Sequence, residues 1–152
     1  MFNAMKSFGL EIDQEACWGC LTCIVACKQE NGATDAASLI MVSENGPQLQ
    51  SDRLEFTYAV NVCRHCEIPA CVTACPAEAI SQRVDGIVIL DAAQCTGCQL
   101  CLDACPYEAI FFDEVENTAR KCNLCYHRVD QGLMPACADN VCLAHCIAYN
   151  KV

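Results

Sequence analysis

Cysteine spacing constrains the fold of this chain more than any other feature of its sequence. Seventeen of the 152 residues are cysteine, far above ordinary usage. They fall into three compact groups and a looser fourth one, namely Cys17, Cys20, Cys23 and Cys27; Cys63, Cys66, Cys71 and Cys75; Cys95, Cys98, Cys101 and Cys105; and Cys122, Cys125, Cys137, Cys142 and Cys146. Such a density leaves three uses open: disulfides, zinc sites and iron–sulfur clusters.

The sequence around the cysteines argues against disulfides and zinc. Residues 1–17 carry one lysine, no apolar signal segment and no twin-arginine pair. No stretch approaches the roughly 18–20 apolar residues of a membrane span. We therefore expect a cytoplasmic protein whose thiols are reduced or metal-bound, unless a partner carries it elsewhere. A third cysteine placed shortly after a C-x2-C pair also crowds a tetrahedral zinc site.

The first and third groups have the spacing C-x2-C-x2-C-x3-C, which is typical of bacterial ferredoxins with two 4Fe–4S clusters. The first three cysteines lie on one tight loop and can hold three corners of a cubane. The fourth lies about one helical turn further on and ligates a different cluster. The segments CVTACPAEAI at 71–80 and CLDACPYEAI at 101–110 form an internal repeat, so the second and third groups are expected to build one two-cluster module.

The spacing predicts four 4Fe–4S clusters. In the inner module, one cluster is assigned to Cys63, Cys66, Cys71 and Cys105, and the other to Cys75, Cys95, Cys98 and Cys101. The first and fourth groups are expected to pair in the same way. One outer cluster then takes Cys27, Cys122, Cys125 and Cys137, and the other takes Cys17, Cys20, Cys23 and a late cysteine. That late ligand is Cys142 or Cys146, which leaves one spare thiol, and a degenerate last motif would reduce the clusters to three.

The predicted fold is α+β, with two nested bacterial ferredoxin-like modules, each binding two clusters, and a β-hairpin insertion. Residues 1–30 and 116–152 are assigned to the outer module, 59–115 to the inner module and 31–58 to the hairpin, whose turn is placed at 45–47. Strands are expected at 8–13 and 110–115, and a second hairpin within 83–91 turns at Asp85–Gly86. Short helices are expected inside the C-x3-C steps, where Pro76 and Pro106 end them.

Charged residues narrow the possible partners. The net charge of −10 disfavours nucleic acid and anionic lipid surfaces. Arg64, Arg120, Lys121 and Arg128 flank the cysteine groups, where they either support the thiolates electrostatically or form ordinary salt bridges. His65, His127 and His145 are interpreted as structural or surface residues. No triad order, phosphate loop or dinucleotide fingerprint is present, so we expect no active site within this chain.

Taken together, the motifs resemble those of the four-cluster, polyferredoxin-like electron-transfer subunits of molybdenum and tungsten oxidoreductases. The resemblance is carried by CWGCLTCIVACKQEN at 17–31, CRHCEIPACVTACP at 63–76, CTGCQLCLDACP at 95–106 and CNLCYHRVDQGLMPAC at 122–137. The ending PACADNVCLAHC departs from the C-x3-C-P ending of larger members, which partner molybdopterin enzymes such as dimethyl sulfoxide reductase. It is closer to the small subunits that accompany tungsten enzymes, among them aldehyde oxidoreductases and tungsten-dependent benzoyl-coenzyme A reductases.

The resemblance implies a chain that relays single electrons to or from a large tungstopterin or molybdopterin catalytic subunit. A flavin subunit or a soluble ferredoxin would stand at the other end of the relay. The alternative is a free-standing soluble polyferredoxin that shuttles electrons between several partners, and a third hypothesis, a redox or iron sensor that binds DNA, conflicts with the acidic charge. A large exposed apolar face would favour the permanent subunit over the shuttle.

Overall fold

The described part of the chain consists of strands and short helices that are joined by loops, in which many of the cysteines lie. The computed structural model describes residues 9–32 and 38–150. Its elements are β1 (Gly9–Ile12), α1 (Thr22–Asn31), β2 (Ile40–Gln50), β3 (Arg53–Val62), α2 (Ala70–Ala74), β4 (Ile80–Gln82), β5 (Val88–Leu90), α3 (Leu100–Ala104), β6 (Ile110–Asp113), β7 (Thr118–Lys121), α4 (Tyr126–Val129) and β8 (Ile147–Asn150). Within these ranges, no helix is long and apolar enough to cross a membrane. The α+β prediction is confirmed, and the strand expected at 8–13 is β1, with residue 8 outside the described residues.

Proline and glycine set the helix ends. Helix α2 follows Pro69 and ends at Cys75, and α3 ends at Cys105. Each C-terminal cysteine precedes a proline, which has no N–H to donate and disfavours helical geometry in the residue before it. No proline follows Cys27, so α1 continues to Asn31 and ends at Gly32, whose N–H donates to the Lys28 carbonyl at a φ of 58°. The prediction of short helices in the C-x3-C steps is confirmed for α2 and α3.

Every strand pairs in an antiparallel two-stranded ribbon: β1 with β8, β2 with β3, β4 with β5 and β6 with β7. The β4–β5 ribbon turns through Asp85 and Gly86, and the Gly86 N–H donates to the Arg83 carbonyl at 2.9 Å. The turn predicted from the Asp-Gly pair is therefore confirmed. Strand β6 lies within the segment 110–115 where a strand was expected. Pairing of β1 with β8 brings the two ends of the described chain together.

The turn of the β2–β3 hairpin lies at Ser51–Asp52, so the prediction of a turn at 45–47 is wrong. Both residues have positive φ, 48° and 64°, which a two-residue hairpin turn of this type requires. The segment 45–47 lies inside β2, and the register shifts there between Asn45 and Gln48. Proline is tolerated at such an irregularity because a ladder hydrogen bond is already missing. The hairpin continues to Val62, past the boundary assigned at 58.

Cysteine side chains contribute much of the buried core. One cluster of buried residues combines Ile40, Val60 and Val62 at the base of the hairpin with cysteines of the first and fourth groups. A second cluster combines Ile80 and Ile110 with cysteines of the second and third groups. The outer part of the hairpin is exposed on both faces. The apolar shells are thin, so each core depends on what the cysteines bind.

Candidate metal centres

Cys63, Cys66, Cys71 and Cys105 line one cleft of about 350 Å³, measured out to open solvent. Burial raises the pKa of the Cys66 and Cys71 thiols, and the nearby thiolates of Cys63 and Cys105 add to the shift. Helices α2 and α3 pack together here, which brings Cys105 from the third group to the three cysteines of the second. These are the four cysteines assigned to one inner cluster from the spacing.

Cys75, Cys95, Cys98 and Cys101 line a second cleft of about 310 Å³, likewise measured out to open solvent. The pKa of Cys101 is raised to about 11 by burial, with the thiolates of Cys95 and Cys75 contributing. Cys98 is exposed. Each inner cleft thus combines cysteines from both copies of the internal repeat.

A third set, Cys27, Cys122, Cys125 and Cys137, is buried, and three of its members, Cys27, Cys122 and Cys137, pack in the core beside the hairpin base. Burial raises the pKa of Cys137, and the thiolates of Cys122, Cys125 and Cys27 make the next largest contributions. Burial likewise raises the pKa of Cys27 to about 11, and the thiolate of Cys125 makes the next largest contribution to this increase. Thiols in this environment stay protonated at neutral pH unless a metal ion replaces the proton.

The fourth set contains five cysteines, Cys17, Cys20, Cys23, Cys142 and Cys146. Burial raises the pKa of Cys23 to about 11, and the thiolates of Cys142, Cys17 and Cys20 add to this. Cys142 and Cys146 are both buried, and their Sγ atoms lie 3.5 Å apart. Cys20 is exposed, and its pKa is lowered by the Thr22 hydroxyl at 3.3 Å. The structure therefore places both candidate late cysteines at this set.

The backbone around Cys142 repeats that around Cys75 and Cys105. Three residues after each cysteine, a backbone N–H donates to its carbonyl; the donors are Glu78, Glu108 and His145, at 3.2, 3.2 and 3.0 Å. These donors have φ angles of 53°, 50° and 51°. Strands β4, β6 and β8 begin two residues later. The sequence signal was the matching of CPAEAI, CPYEAI and CLAHCI, in which Cys146 takes the position of Ala79 and Ala109.

The first C-x2-C loop of each of the four cysteine groups shares one backbone feature. The residue before the second cysteine has a positive φ: 67° at Gly19, 46° at His65, 73° at Gly97 and 55° at Leu124. Two of these four are not glycine, and both of them are fully buried. Loops in which left-handed residues follow ordinary ones point successive N–H groups inward and bind anions, including iron–sulfur clusters. The strain at His65 and Leu124 marks these loops as functional.

Backbone N–H groups point at cysteine sulfur in both halves of the chain. The donors to Sγ are His65 to Cys63 at 3.5 Å, Ala79 to Cys75 at 3.3 Å, Ala119 to Cys95 at 3.4 Å, Ala109 to Cys105 at 3.5 Å and Leu124 to Cys122 at 3.3 Å. Such donors stabilise thiolate charge, and hydrogen bonds to sulfur raise the potential of an iron–sulfur site. The donor set therefore fits an anionic, thiolate-bound group.

The basic residues near the cysteines have three different environments. Arg120 pairs with Asp113 at 3.3 Å, and Arg128 pairs with Glu30 at 3.2 Å, so both form ordinary salt bridges. The Arg64 guanidinium lies over the Tyr107 ring, 4.0 Å from its centroid. Lys121 differs, since it is buried and donates to the carbonyls of Val88 and Cys122.

The three histidines are structural or surface residues, as interpreted from the sequence. His127 and His145 are exposed, and His127 Nε2 lies 2.7 Å from Glu30 Oε1. His65 is buried, and its Nδ1 accepts the Val88 N–H at 3.0 Å, so the ring proton resides on Nε2. Burial and then the Lys121 charge lower the pKa of His65 to about 3, which keeps the ring neutral.

Comparison with known proteins identifies the cofactor class. Residues 54–151 match the model of a 4Fe-4S dicluster domain, and residues 14–32 match that of a 4Fe-4S binding domain. Three relatives are the B components of tetrathionate reductase from Salmonella typhimurium, anaerobic dimethyl sulfoxide reductase from Escherichia coli and polysulfide reductase from Wolinella succinogenes. The tetrathionate reductase component is 39% identical over 88% of this protein and 54% of its own length. The dimethyl sulfoxide reductase component is 38% identical over 88% of this protein and 68% of its own length. The polysulfide reductase component is 36% identical over 97% of this protein and 78% of its own length. The sequence thus spans little more than half the length of the first relative. The prediction of 4Fe–4S clusters is confirmed.

Proposed function

This protein is a member of the 4Fe-4S dicluster domain family that these reductase components share, and on that premise we propose that it is the iron–sulfur electron-transfer subunit of a multi-subunit reductase. The proposal rests on the four sets into which the cysteines gather. It is supported by the similarity to such components over most of the length of this protein. The clusters supply one-electron transfer, and the protein's residues supply ligands, hydrogen bonds and insulation.

We propose four 4Fe–4S clusters with the following ligands: Cys17, Cys20, Cys23 and Cys142; Cys27, Cys122, Cys125 and Cys137; Cys63, Cys66, Cys71 and Cys105; and Cys75, Cys95, Cys98 and Cys101. The shared backbone of the segments beginning at Cys75, Cys105 and Cys142 supports Cys142 as the late ligand. Cys146 is then the spare thiol. The clefts in the inner half and the mutual pKa effects in the outer half support the other assignments.

The nested arrangement of two modules belongs to the same proposal. Strands β1 and β8 pair from opposite ends of the chain, and the first and fourth cysteine groups share one buried core. The second and third groups share another. These contacts support an outer module built from 1–30 and 116–152 around an inner module at 59–115, with the hairpin between them.

Exposed apolar side chains favour a permanent subunit over a shuttle. Trp18, Leu21 and Leu143 are 65%, 47% and 56% exposed. Trp18 and Leu21 are close to Cys20 in the chain, and the Leu143 backbone contributes to lowering the pKa of the Cys20 thiol. A water-exposed apolar surface beside an exposed ligand is a feature of protein–protein contact sites. We propose that the catalytic subunit docks here.

A molybdopterin or tungstopterin subunit is the proposed partner. The similarity to components of three reductases supports a reductase partner. The narrower prediction of a tungsten enzyme of the aldehyde oxidoreductase family rests on the segment 135–146 alone. A flavin subunit or soluble ferredoxin at the far end, and a cytoplasmic location, likewise remain proposals.

The test is anaerobic purification from the native source, with metal and sulfide analysis of the complex. We expect about sixteen iron and about sixteen sulfide per chain, together with a large protein that contains pterin and molybdenum or tungsten. A monomeric chain with full iron and no partner would instead support the free-standing polyferredoxin. Zinc without sulfide would overturn the electron-transfer function.

A further inference from the structure

A buried polar bridge connects the two halves of the chain through the backbone of a single residue, Val88. The N–H of Val88 donates to His65 Nδ1, and the carbonyl of Val88 accepts from Lys121 Nζ. Lys121 Nζ also donates to the Cys122 carbonyl at 2.7 Å. His65 is 1% exposed and Lys121 is 4% exposed. The bridge therefore runs through the interior of the protein, from β7 across β5 to the second cysteine loop.

Both ends of the bridge reach a proposed cluster ligand. The backbone N–H of His65 donates to Cys63 Sγ at 3.5 Å, and Cys63 belongs to an inner set. At the other end, Lys121 is followed directly by Cys122, which belongs to an outer set. Burial raises the pKa of Cys122 to about 12, the Lys121 charge opposes that shift, and the Cys63 thiolate adds to it. The two sets therefore meet at the bridge.

Lys121 carries a buried charge that needs a counter-charge. Of the ion pairs found among residues 9–32 and 38–150, none involves Lys121. A buried ammonium that has only carbonyl partners is costly unless negative charge lies nearby. The negative charge available on both sides is thiolate: Lys121 lowers the pKa of Cys71 in the inner set as well as that of Cys122.

We propose that Lys121 is a positioning residue for electron transfer between the two modules, holding one positive charge between the cluster of Cys63, Cys66, Cys71 and Cys105 and the cluster of Cys27, Cys122, Cys125 and Cys137. Its charge stabilises an added electron on either of these two clusters, which we call the two central sites. Both central sites should therefore have higher reduction potentials than they would without Lys121. In such a transfer, one site would be oxidised as its neighbour is reduced. The inference rests on the proposed four-cluster function.

The experiment is a redox titration of the full chain, followed by electron paramagnetic resonance, with Lys121→Gln and Lys121→Met. Both changes remove the charge, and glutamine keeps an N–H donor for the carbonyls. We expect reduction to become about tenfold less favourable at the two central sites, which is about 59 mV for one electron. The other two sites should keep their potentials. Spectra of Cys27→Ser and Cys66→Ser assign the central signals.

Two further variants separate charge from structure. Lys121→Arg keeps the charge, so its potentials should stay close to those of the unchanged protein. Arg53→Gln removes a charge from the exposed end of the hairpin and should shift no site. The proposal is overturned if the neutral variants keep full iron with unchanged potentials, if Lys121→Arg shifts as they do, or if every neutral variant loses its iron.

Iron and sulfide content distinguishes this proposal from the function on which it rests. About sixteen iron and sixteen sulfide in the unchanged protein support the function whatever the potentials do. About twelve iron or fewer would count against the four-cluster function before Lys121 is considered.

Discussion

The Sγ atom of Cys146 lies 3.5 Å from the Sγ atom of Cys142, four residues earlier. Cys146 occupies the position of Ala79 and Ala109, whose N–H groups donate to the sulfur of Cys75 and Cys105. The seventeenth cysteine thus sits beside a proposed ligand, in a position that alanine fills elsewhere in the chain.

Cys146→Ala should therefore keep all four clusters, because it introduces the residue found at the two equivalent positions. Cys142→Ala should lose one cluster, and the iron content should fall from about sixteen to about twelve. Iron and sulfide analysis of both purified variants decides between the two cysteines. The reverse pattern, with iron lost only in Cys146→Ala, would make Cys146 the ligand.

Gly97 is required by the loop between Cys95 and Cys98. Its φ is +73°, and an added Cβ would lie 2.7 Å from the Asn117 backbone oxygen. We expect Gly97→Ala to lose the cluster of that loop, because the backbone of a neighbouring turn cannot move aside.

Gly132→Ala is the matched control for Gly97→Ala. Gly132 has a φ of +79°, with nothing within 4 Å of the added Cβ. It should lose only the roughly 1–2 kcal/mol of left-handed strain. Both variants are compared by their iron content and by the temperature at which the cluster absorbance is lost. Equal losses of iron in Gly97→Ala and Gly132→Ala would show that the Asn117 contact has no effect.

Asn31 donates to sulfur from the end of α1. Its Nδ2 lies 3.6 Å from Cys27 Sγ and 3.9 Å from Cys125 Sγ. Asn31→Leu should lower the potential of that site, because an N–H donor to sulfur favours the reduced, more negative state. A redox titration measures the change.

Asn61→Leu is the control for Asn31→Leu. Asn61 Nδ2 donates to the carbonyls of Tyr107 and Glu108, at 2.9 and 3.2 Å, and to no sulfur that the described residues provide. Its loss should cost about 1 kcal/mol of stability per hydrogen bond with no change of potential. If both variants shifted the potentials alike, sulfur donation by Asn31 would not be the cause.

Removal of iron should unfold most of the chain. Buried and partly buried cysteines make up much of both large cores, and only a few apolar residues surround them. Anaerobic treatment with an iron chelator should abolish the far-ultraviolet circular dichroism of the strands and helices, since metal binding and folding are coupled in such small domains. Untreated protein held in the same buffer is the control. An iron-free chain that kept its spectrum and its amide protection would show that the cores are stable without metal.

The sequence predicted the loop and helix of each compact cysteine group because the spacing within one group is a local property. Three cysteines on one loop and a fourth one helical turn later restrict where each sulfur can lie, and Pro76 and Pro106 end the helices that carry the fourth. The Asp85–Gly86 turn is equally local, since two residues specify it. The hairpin turn at 45–47 was wrong because Pro47 lies at an irregularity within a longer strand, and the actual turn at Ser51–Asp52 carries a weaker signal.

By itself, the sequence determined the cofactor class and the α+β composition, which follow from spacing and repeats, and its pairing of the cysteine groups stays a prediction. The backbone around Cys142 is also local, because the N–H of His145, three residues later, donates to its carbonyl and the segment CLAHCI matches CPAEAI and CPYEAI. Only the tertiary structure buried Lys121 between two sets of thiols, because that burial depends on contacts between residues far apart in the chain. The Lys121 contact with Val88 spans 33 positions in the sequence, and no local pattern around Lys121 indicates which backbone carbonyl its side chain contacts.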